Sequence, residues 1–335
     1  MNSVLVIGGA GPLGMSTCKA LANAGYVPVA YDQTRQGKEI REKWGPFIRG
    51  TLTEKERLSA TINEYNPDAI ILCPDHAEAE NPVTDPVLAY RTALTGTLTL
   101  LELAVKHKIE HVIYVSNAAI YGDAGSLPVS ENQPSAPIGI PGSSQMICER
   151  MIADFASAHA IRFAILRSFA IAGVDDDIAD DVIQDRGFIS NLMAVAIGLR
   201  PQVTIHGSNY TTRDGTIVRD YVHGADFAQA LLRALRALET GSISRIYNIG
   251  AGIGTTALEL AHLAERISGQ RIPIVYGPKR DDEAPVLIAD SSLARVMLGW
   301  TPKESAADLI IRTTWAQWYN RHIETSGNIN SRAAG

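Results

Sequence analysis

The sequence predicts an α/β fold, a doubly wound parallel sheet carrying a smaller C-terminal α/β lobe. Three observations lead there. Short β-branched runs alternate with helical stretches through the first half of the 335-residue chain. Each run is continuously apolar rather than alternating, as strands buried on both faces require. And a glycine-rich turn joins the first strand directly to the first helix, where such folds hold their ligands.

The strands expected in order are Val4–Ile7, Pro28–Tyr31, Ala69–Cys73, His111–Ser116 and Phe163–Leu166. Between them, 3.6-residue periodicity predicts helices over Ser16–Ala24, Glu54–Tyr65, Leu88–Lys106 and Ser143–Ala158. Strand–helix alternation of this kind closes right-handed crossovers onto a parallel sheet. Beyond about residue 170 the pattern changes. An aspartate-rich stretch over 175–185 reads as a solvated loop, followed by an apolar helix at Ile189–Ile197 and a turn-rich segment at His206–Thr216. A helix at Gly224–Leu238, a strand at Ile246–Ile249, and helices at Thr256–Ile267, Ser291–Met297 and Ala306–Tyr319 complete the reading. The expected division is residues 1–170 as a first domain, joined by a segment returning near 215–250, residues 171–330 as a second lobe, and 326–335 as a frayed tail of small polar residues.

A chain of this length with 46% hydrophobic residues buries a core without staples. Thirty basic against 36 acidic side chains, with no basic run, exclude a nucleic-acid groove. No apolar stretch approaches a membrane span, and the N-terminus lacks the charged and apolar regions of a signal peptide. Cys18, Cys73 and Cys148 are scattered without ligand spacing and read as buried free thiols of a cytoplasmic protein. His107 and His111 have metal-compatible spacing only on a helix, and the strand beginning at His111 removes it; no metal site is expected.

The turn itself reads Gly8-Gly9-Ala10-Gly11-Pro12-Leu13-Gly14. Glycines permit a tight turn and close approach of backbone to a pyrophosphate, whose charge then faces the N–H groups opening the helix. Asp32, at the end of the second strand, can accept both hydroxyls of an adenosine ribose and repels a 2′-phosphate. The context is that of a Rossmann dinucleotide site selecting NAD, with Gly8, Gly11, Pro12, Leu13, Gly14, Asp32 and Leu52 as its residues.

The spacing Gly8-x-x-Gly11-x-x-Gly14 resembles the short-chain dehydrogenase/reductase superfamily. The likeness runs nearly end to end and narrows to the extended, NAD-dependent epimerase/dehydratase branch, the UDP-glucose (UDP-galactose) 4-epimerases. It is carried by Val29–Asp32, Ile120-Tyr121-Gly122, Ile147–Arg150, Asp214–His223, Tyr247–Gly252, Lys279–Glu283 and Leu298-Gly299-Trp300. The resemblance implies a nucleotide-sugar ligand of the UDP-hexose kind. Arg219 and Arg280 then grip the diphosphate, Asn191 lies on the uridine side and Glu283 near the uridine ribose. The structural alternatives are an ion pair of Arg219 with Asp220 or Asp214, and a solvated Arg280 among acidic neighbours. The resemblance also implies a homodimer through the helices at Leu88–Lys106 and Ser143–Ala158.

In such a family a tyrosine phenolate takes a proton from the sugar while hydride passes to NAD, and a lysine four residues later lowers the phenol's pKa and holds the nicotinamide ribose. This chain departs from that pattern. Anchored on Glu149, the Tyr-x-x-x-Lys positions fall on Pro141 and Gln145. None of the 11 tyrosines is followed by lysine at i+4, and no lysine lies between Lys108 and Lys279. The serine stretch reads Ser116-Asn117-Ala118-Ala119, with Asn117 and Ala119 where the family carries hydroxyls. Ser116, Tyr121 and His76 are the candidates for substitute acid/base work. Against two of them stands a plainer role, core packing for Tyr121 and a loop hydrogen bond to local carboxylates for His76. Two readings follow: an epimerase-family enzyme with altered acid/base chemistry, or a non-catalytic NAD- and nucleotide-sugar-binding pseudoenzyme.

Overall fold

The computed structural model describes residues 2–34, 42–74, 85–173, 175, 178 and 187–333, the last eleven as backbone. The elements used below are β1 (Ser3–Ile7), α1 (Pro12–Asn23), β2 (Val27–Asp32), β3 (Phe47–Arg49), α2 (Lys55–Tyr65) and β4 (Ala69–Leu72). There follow α3 (Pro86–Tyr90), α4 (Gly96–His107), β5 (His111–Asn117), α5 (Ile140–Ala158) and β6 (Arg162–Ser168).

Seven parallel strands form the main sheet in the order β10-β6-β5-β4-β1-β2-β3, where β10 is Arg245–Ile249. Chain direction across the sheet reverses between β1 and β4, the switch point at which a crevice opens beyond the strands' C-terminal ends. The continuously apolar strands are buried on both sides, as their composition demands. Val4, Val6, Ile71 and Ile113 face a core shared with Leu21, Leu231, Leu235 and Trp300. Leu5, Ile7, Ile70 and Val112 face Leu58, Ile62, Leu100, Leu101 and Ile152 on the other side. The chain returns to this first unit through the helix Gly224–Glu239, which packs on α1, and through β10.

Several elements differ from the sequence expectation. The edge strand β3 was not anticipated; it is three residues long and half-buried, too short for a periodic signal. The long helix expected over Leu88–Lys106 is divided: α3 passes into a π-helical turn at Arg91–Thr95 before α4 begins. The widened turn brings Arg91, Thr92 and Ala93 to the wall of a cavity. At the other end, helix Ala307–Ala333 continues through residues placed in the frayed tail. No proline follows Pro302, so nothing in that stretch forces a stop.

The second lobe is built from β7 (Ala170–Ala172), β9 (Val218–His223), β11 (Gly254–Thr256) and β13 (Val286–Leu287) in one small sheet, and β8 (Val203–His206) with β12 (Ile274–Gly277) in another. Its core gathers Leu192, Met193, Leu260, Ile310 and Ile311. The three cysteines are free and buried. Among the described residues no helix is long and apolar enough to cross a membrane.

Candidate functional site

The opening turn has the geometry of a pyrophosphate cradle. Gly8 adopts φ +75°, and a Cβ there would lie 2.0 Å from the Cys73 carbonyl oxygen. A Cβ on Gly14 would lie 2.0 Å from the Gly8 carbonyl oxygen, so α1 packs directly on the turn. Gly11 is different. It has an ordinary extended backbone (φ −74°, ψ 167°), and an added Cβ would meet nothing nearer than the Gly8 oxygen at 3.6 Å. The protein itself does not need glycine there; space for an approaching ligand does. Gly11 is also the N-cap of α1 and supplies no side-chain cap, which leaves the helix's first N–H groups for an anion. Asp32 lies beside them. Its Oδ2 accepts from the Ala10 N–H at 3.1 Å and its Oδ1 from the Thr34 N–H at 2.9 Å and hydroxyl at 2.6 Å. The carboxylate is thereby fixed at the edge of a cavity of about 420 Å³ that Gly8, Leu52, Tyr114, Pro141 and Gln145 also line. These features fit an adenine dinucleotide.

A second cavity of about 820 Å³ lies between the main sheet and the smaller lobe. Asn191, Arg219, Arg280 and Glu283 all line it, so the structure brings together the residues that the resemblance assigned to a diphosphate nucleotide. Their arrangement corrects the ion pair considered for Arg219. Its partner is Glu283, at 3.5 Å, rather than Asp220 or Asp214, and Arg280 meets the same carboxylate at 2.8 Å. Burial depresses the Arg219 pKa, which the Glu283 charge opposes. Two guanidinium forks sharing one carboxylate keep donors for an anionic ligand. Asp220, fully buried, accepts instead from the backbone N–H groups of Ala251, Gly252 and Ala289. Asn191 Oδ1 accepts from Arg200, which sequence reasoning passed over. His206, at the end of β8, lines the cavity as well; the four-residue strand Val203–His206 carried too little pattern to locate it.

Pro141 lines both cavities, so they meet at the start of α5. The wall there is backbone: a Cβ on Gly142 would lie 2.4 Å from the Ala119 carbonyl oxygen. Asn117 faces the larger cavity, its Oδ1 held by the Ala119 N–H at 2.7 Å. Gln145, four residues beyond Pro141, is buried and its Oε1 accepts from the Tyr114 hydroxyl at 2.6 Å.

Two of the acid/base candidates are not brought to this junction. Tyr121 is 1% exposed and lines neither cavity. Its hydroxyl donates to Asn248 Oδ1 at 2.7 Å and accepts from Arg167 at 2.8 Å. Burial raises its pKa despite the neighbouring guanidinium. That guanidinium is bound in turn to Glu149 at 2.7 and 3.0 Å. Tyr121 is thus a member of a buried polar network. Ser116 is wholly buried and also lines neither cavity; its Oγ has no protein partner among the described residues. His76 lies outside the described residues. Asp175, His223 and Glu304 come close enough to share an ion, but the His223 Nδ1 already accepts from the Ala225 N–H and Lys19 pairs with Asp175.

Comparison with known proteins agrees with this geometry. The NAD dependent epimerase/dehydratase family matches residues 4–250. The UDP-glucose 4-epimerase of Rhizobium meliloti is 36% identical over 322 residues, covering 96% of this chain and 98% of that protein. The human UDP-glucose 4-epimerase is 33% identical over 322 residues, covering 90% and 92%. Among solved structures, the Brucella ovis UDP-glucose 4-epimerase in complex with NAD superposes with a TM-score of 0.89 at 34% identity, covering 95% of this chain and 98% of that one. The Bifidobacterium longum enzyme in complex with NAD+ and UDP gives 0.89 at 26%, covering 96% and 98%. With its glycine cradle, its paired arginines and a match along nearly its whole length, the chain belongs to the NAD-dependent epimerase/dehydratase family.

Proposed function

We propose that the chain binds NAD and a UDP-hexose-like nucleotide sugar in its two adjoining cavities, as a 4-epimerase-like protein whose proton transfer does not use a tyrosine–lysine pair. The observation that carries this is the meeting of the cavities at Pro141, with Gln145 one helical turn on. Gly8, Gly11 and Gly14 seat the pyrophosphate, and Asp32 and Leu52 hold the adenosine end. Bound there, NAD supplies a hydride acceptor and donor for a sugar carbinol. Arg219 and Arg280 bind the diphosphate, Asn191 lies toward the base and Glu283 orients both guanidinium groups. Asn117 lines the larger cavity, where its amide can hold a sugar hydroxyl but cannot remove its proton. His76, just beyond β4, is the candidate left for that work.

A second reading, a holder without turnover, is favoured by the chemistry of the junction. Asn117, Ala119, Pro141, Gly142 and Gln145 include no group that titrates near neutrality. Calorimetric titration of the NAD-loaded protein with UDP-glucose, followed by product analysis and NADH absorbance, separates the two. Epimerised or oxidised sugar supports the enzyme. Binding with neither product supports the holder. Absence of binding to NAD and to UDP-glucose refutes both. We further propose a homodimer through α4 and α5, on which Leu98 and Ile147 are exposed beside Val87 and Leu88. Light scattering of the purified protein tests it, and a monomeric mass would refute it.

A further inference from the structure

We propose that Asp282 decides the class of sugar this protein takes: a neutral hexose, to the exclusion of a hexuronic acid. The inference rests on the nucleotide-sugar reading above and deepens it. The two cavities share Pro141, so the sugar of a nucleotide held by Arg219 and Arg280 has to extend toward that residue to reach the cofactor. Asp282 stands beside that path. It lines the larger cavity, as do Gly139 and Pro141. A Cβ on Gly139 would lie 3.3 Å from the Asp282 Cβ, 3.4 Å from its carbonyl oxygen and 3.6 Å from Pro141 Cδ. Gly139 itself has an extended backbone open to any residue (φ −131°, ψ 167°). The aspartate, rather than the conformation of the glycine, crowds this position at the start of α5.

Among the described residues, the guanidinium and carboxylate groups on this cavity's wall are Arg200, Arg219, Arg280, Asp220, Asp282 and Glu283. Five of them are engaged. Glu283 meets Arg219 and Arg280, Arg200 donates to Asn191, and Asp220 accepts from backbone N–H groups. The Asp282 carboxylate has no hydrogen bond or ion pair to the described residues. Glu149, the buried carboxylate of α5, is bound to Arg167 and lines neither cavity. A carboxylate accepts hydrogen bonds and donates none. Asp282 can therefore hold a hexose hydroxyl, whereas to a sugar carboxylate it offers only repulsion. UDP-glucose and UDP-glucuronate differ by a hydroxymethyl group against a carboxylate and share the rest, so the discrimination falls on the sugar and spares the nucleotide contacts. Rejection by a placed like charge is the device.

The test compares dissociation constants for UDP, UDP-glucose and UDP-glucuronate, measured by calorimetry on the full chain in the presence of NAD. Wild type is expected to bind UDP-glucose more tightly than UDP-glucuronate. Asp282→Asn keeps the shape and removes the charge. It should move the affinity ratio of the two sugars toward UDP-glucuronate by roughly tenfold, the effect of a unit charge several ångströms away in a partly hydrated site. Asp282→Lys should move it further in the same direction. Both shifts should shrink at high salt, because Asp282 is exposed in the open cavity. Wild type binding UDP-glucuronate as tightly as UDP-glucose, or a ratio unaltered by Asp282→Asn, overturns the inference. Equal weakening or tightening of both sugars leaves the ratio unaltered and overturns it too, by assigning Asp282 to the diphosphate grip or to the fold. If Asp282→Lys does not fold, Asp282→Asn alone decides. Failure of wild type to bind UDP at all refutes the nucleotide-sugar reading of the cavity instead.

Discussion

Installing a tyrosine–lysine pair is the most direct perturbation of the proposed site. In Pro141→Tyr/Gln145→Lys the two new side chains would stand one helical turn apart, at positions that both line the cofactor cavity. Pro141 occupies the first turn of α5, where its missing N–H costs no intrahelical bond, so the tyrosine sacrifices only the rigidity of proline, roughly 0.4–1 kcal/mol. The lysine replaces an amide that now bonds Tyr114. A general base contributes about 10²–10⁴-fold in rate, which sets the expected gain in conversion of UDP-galactose to UDP-glucose by the double variant. Each single variant should gain far less, because the lysine acts by lowering the phenol's pKa and the two work as a unit. Adding Asn117→Ser tests whether a hydroxyl at the junction raises the rate further. The assay is initial-rate product analysis on folded, NAD-loaded protein. The reasoning fails if the double variant binds both ligands and turns over no faster than wild type, or if wild type already works at the rate expected of the double variant.

Three further outcomes are expected. Arg167→Met strands the Glu149 carboxylate, whose side chain is 7% exposed, and should cost about 3–5 kcal/mol in denaturant unfolding, whereas Arg167→Met/Glu149→Leu should recover most of it; a single variant as stable as wild type would contradict the buried pair. Gly11→Ala should leave Tm unchanged and reduce NAD affinity by roughly tenfold, about 1.4 kcal/mol, while Gly14→Ala should lower Tm, since its Cβ would sit 2.0 Å from a carbonyl oxygen; equal effects of the two on Tm would refute the distinction. Glu259, hydrogen-bonded to Arg213, is held below the ordinary carboxyl range. A depressed folded pKa stabilises above the unfolded value, near 4.3, and that contribution disappears as pH falls through the folded one. The Tm advantage of wild type over Glu259→Gln should therefore be present at pH 6 and shrink on acidification below about 4; a difference independent of pH would exclude the linkage.

Strands buried on both faces declare themselves in sequence because every position must be apolar, and β1, β2, β4, β5 and β6 lie within a residue or two of their expected bounds. The glycine turn was equally legible, since Gly8 and Gly14 answer local steric demands and Gly11 leaves room for a ligand. The short edge strand β3 and the half-buried strands of the smaller lobe were not, because three or four residues carry too little pattern. Tyr121 shows the other limit. Its hydroxyl is occupied by Arg167 and Asn248, 46 and 127 residues away, and no local spacing announces such a network. The Tyr114–Gln145 bond likewise joins residues 31 apart. The division of the long helix at Arg91–Thr95 left no mark in the hydrophobic periodicity.

The close approach of Gly142 to the Ala119 carbonyl means that the partition between the two cavities is built largely of main chain, tied by the Asn117 side chain to Ala119 and by the Ser144 hydroxyl to Pro141. Substitution at residue 141 or 145 alters which protons and charges the partition presents while the partition itself stays put. Recognition of ligands and the chemistry performed on them are therefore separable inheritances in this architecture: a lineage can discard or exchange its reactive groups and still keep an intact receptor for the same two molecules.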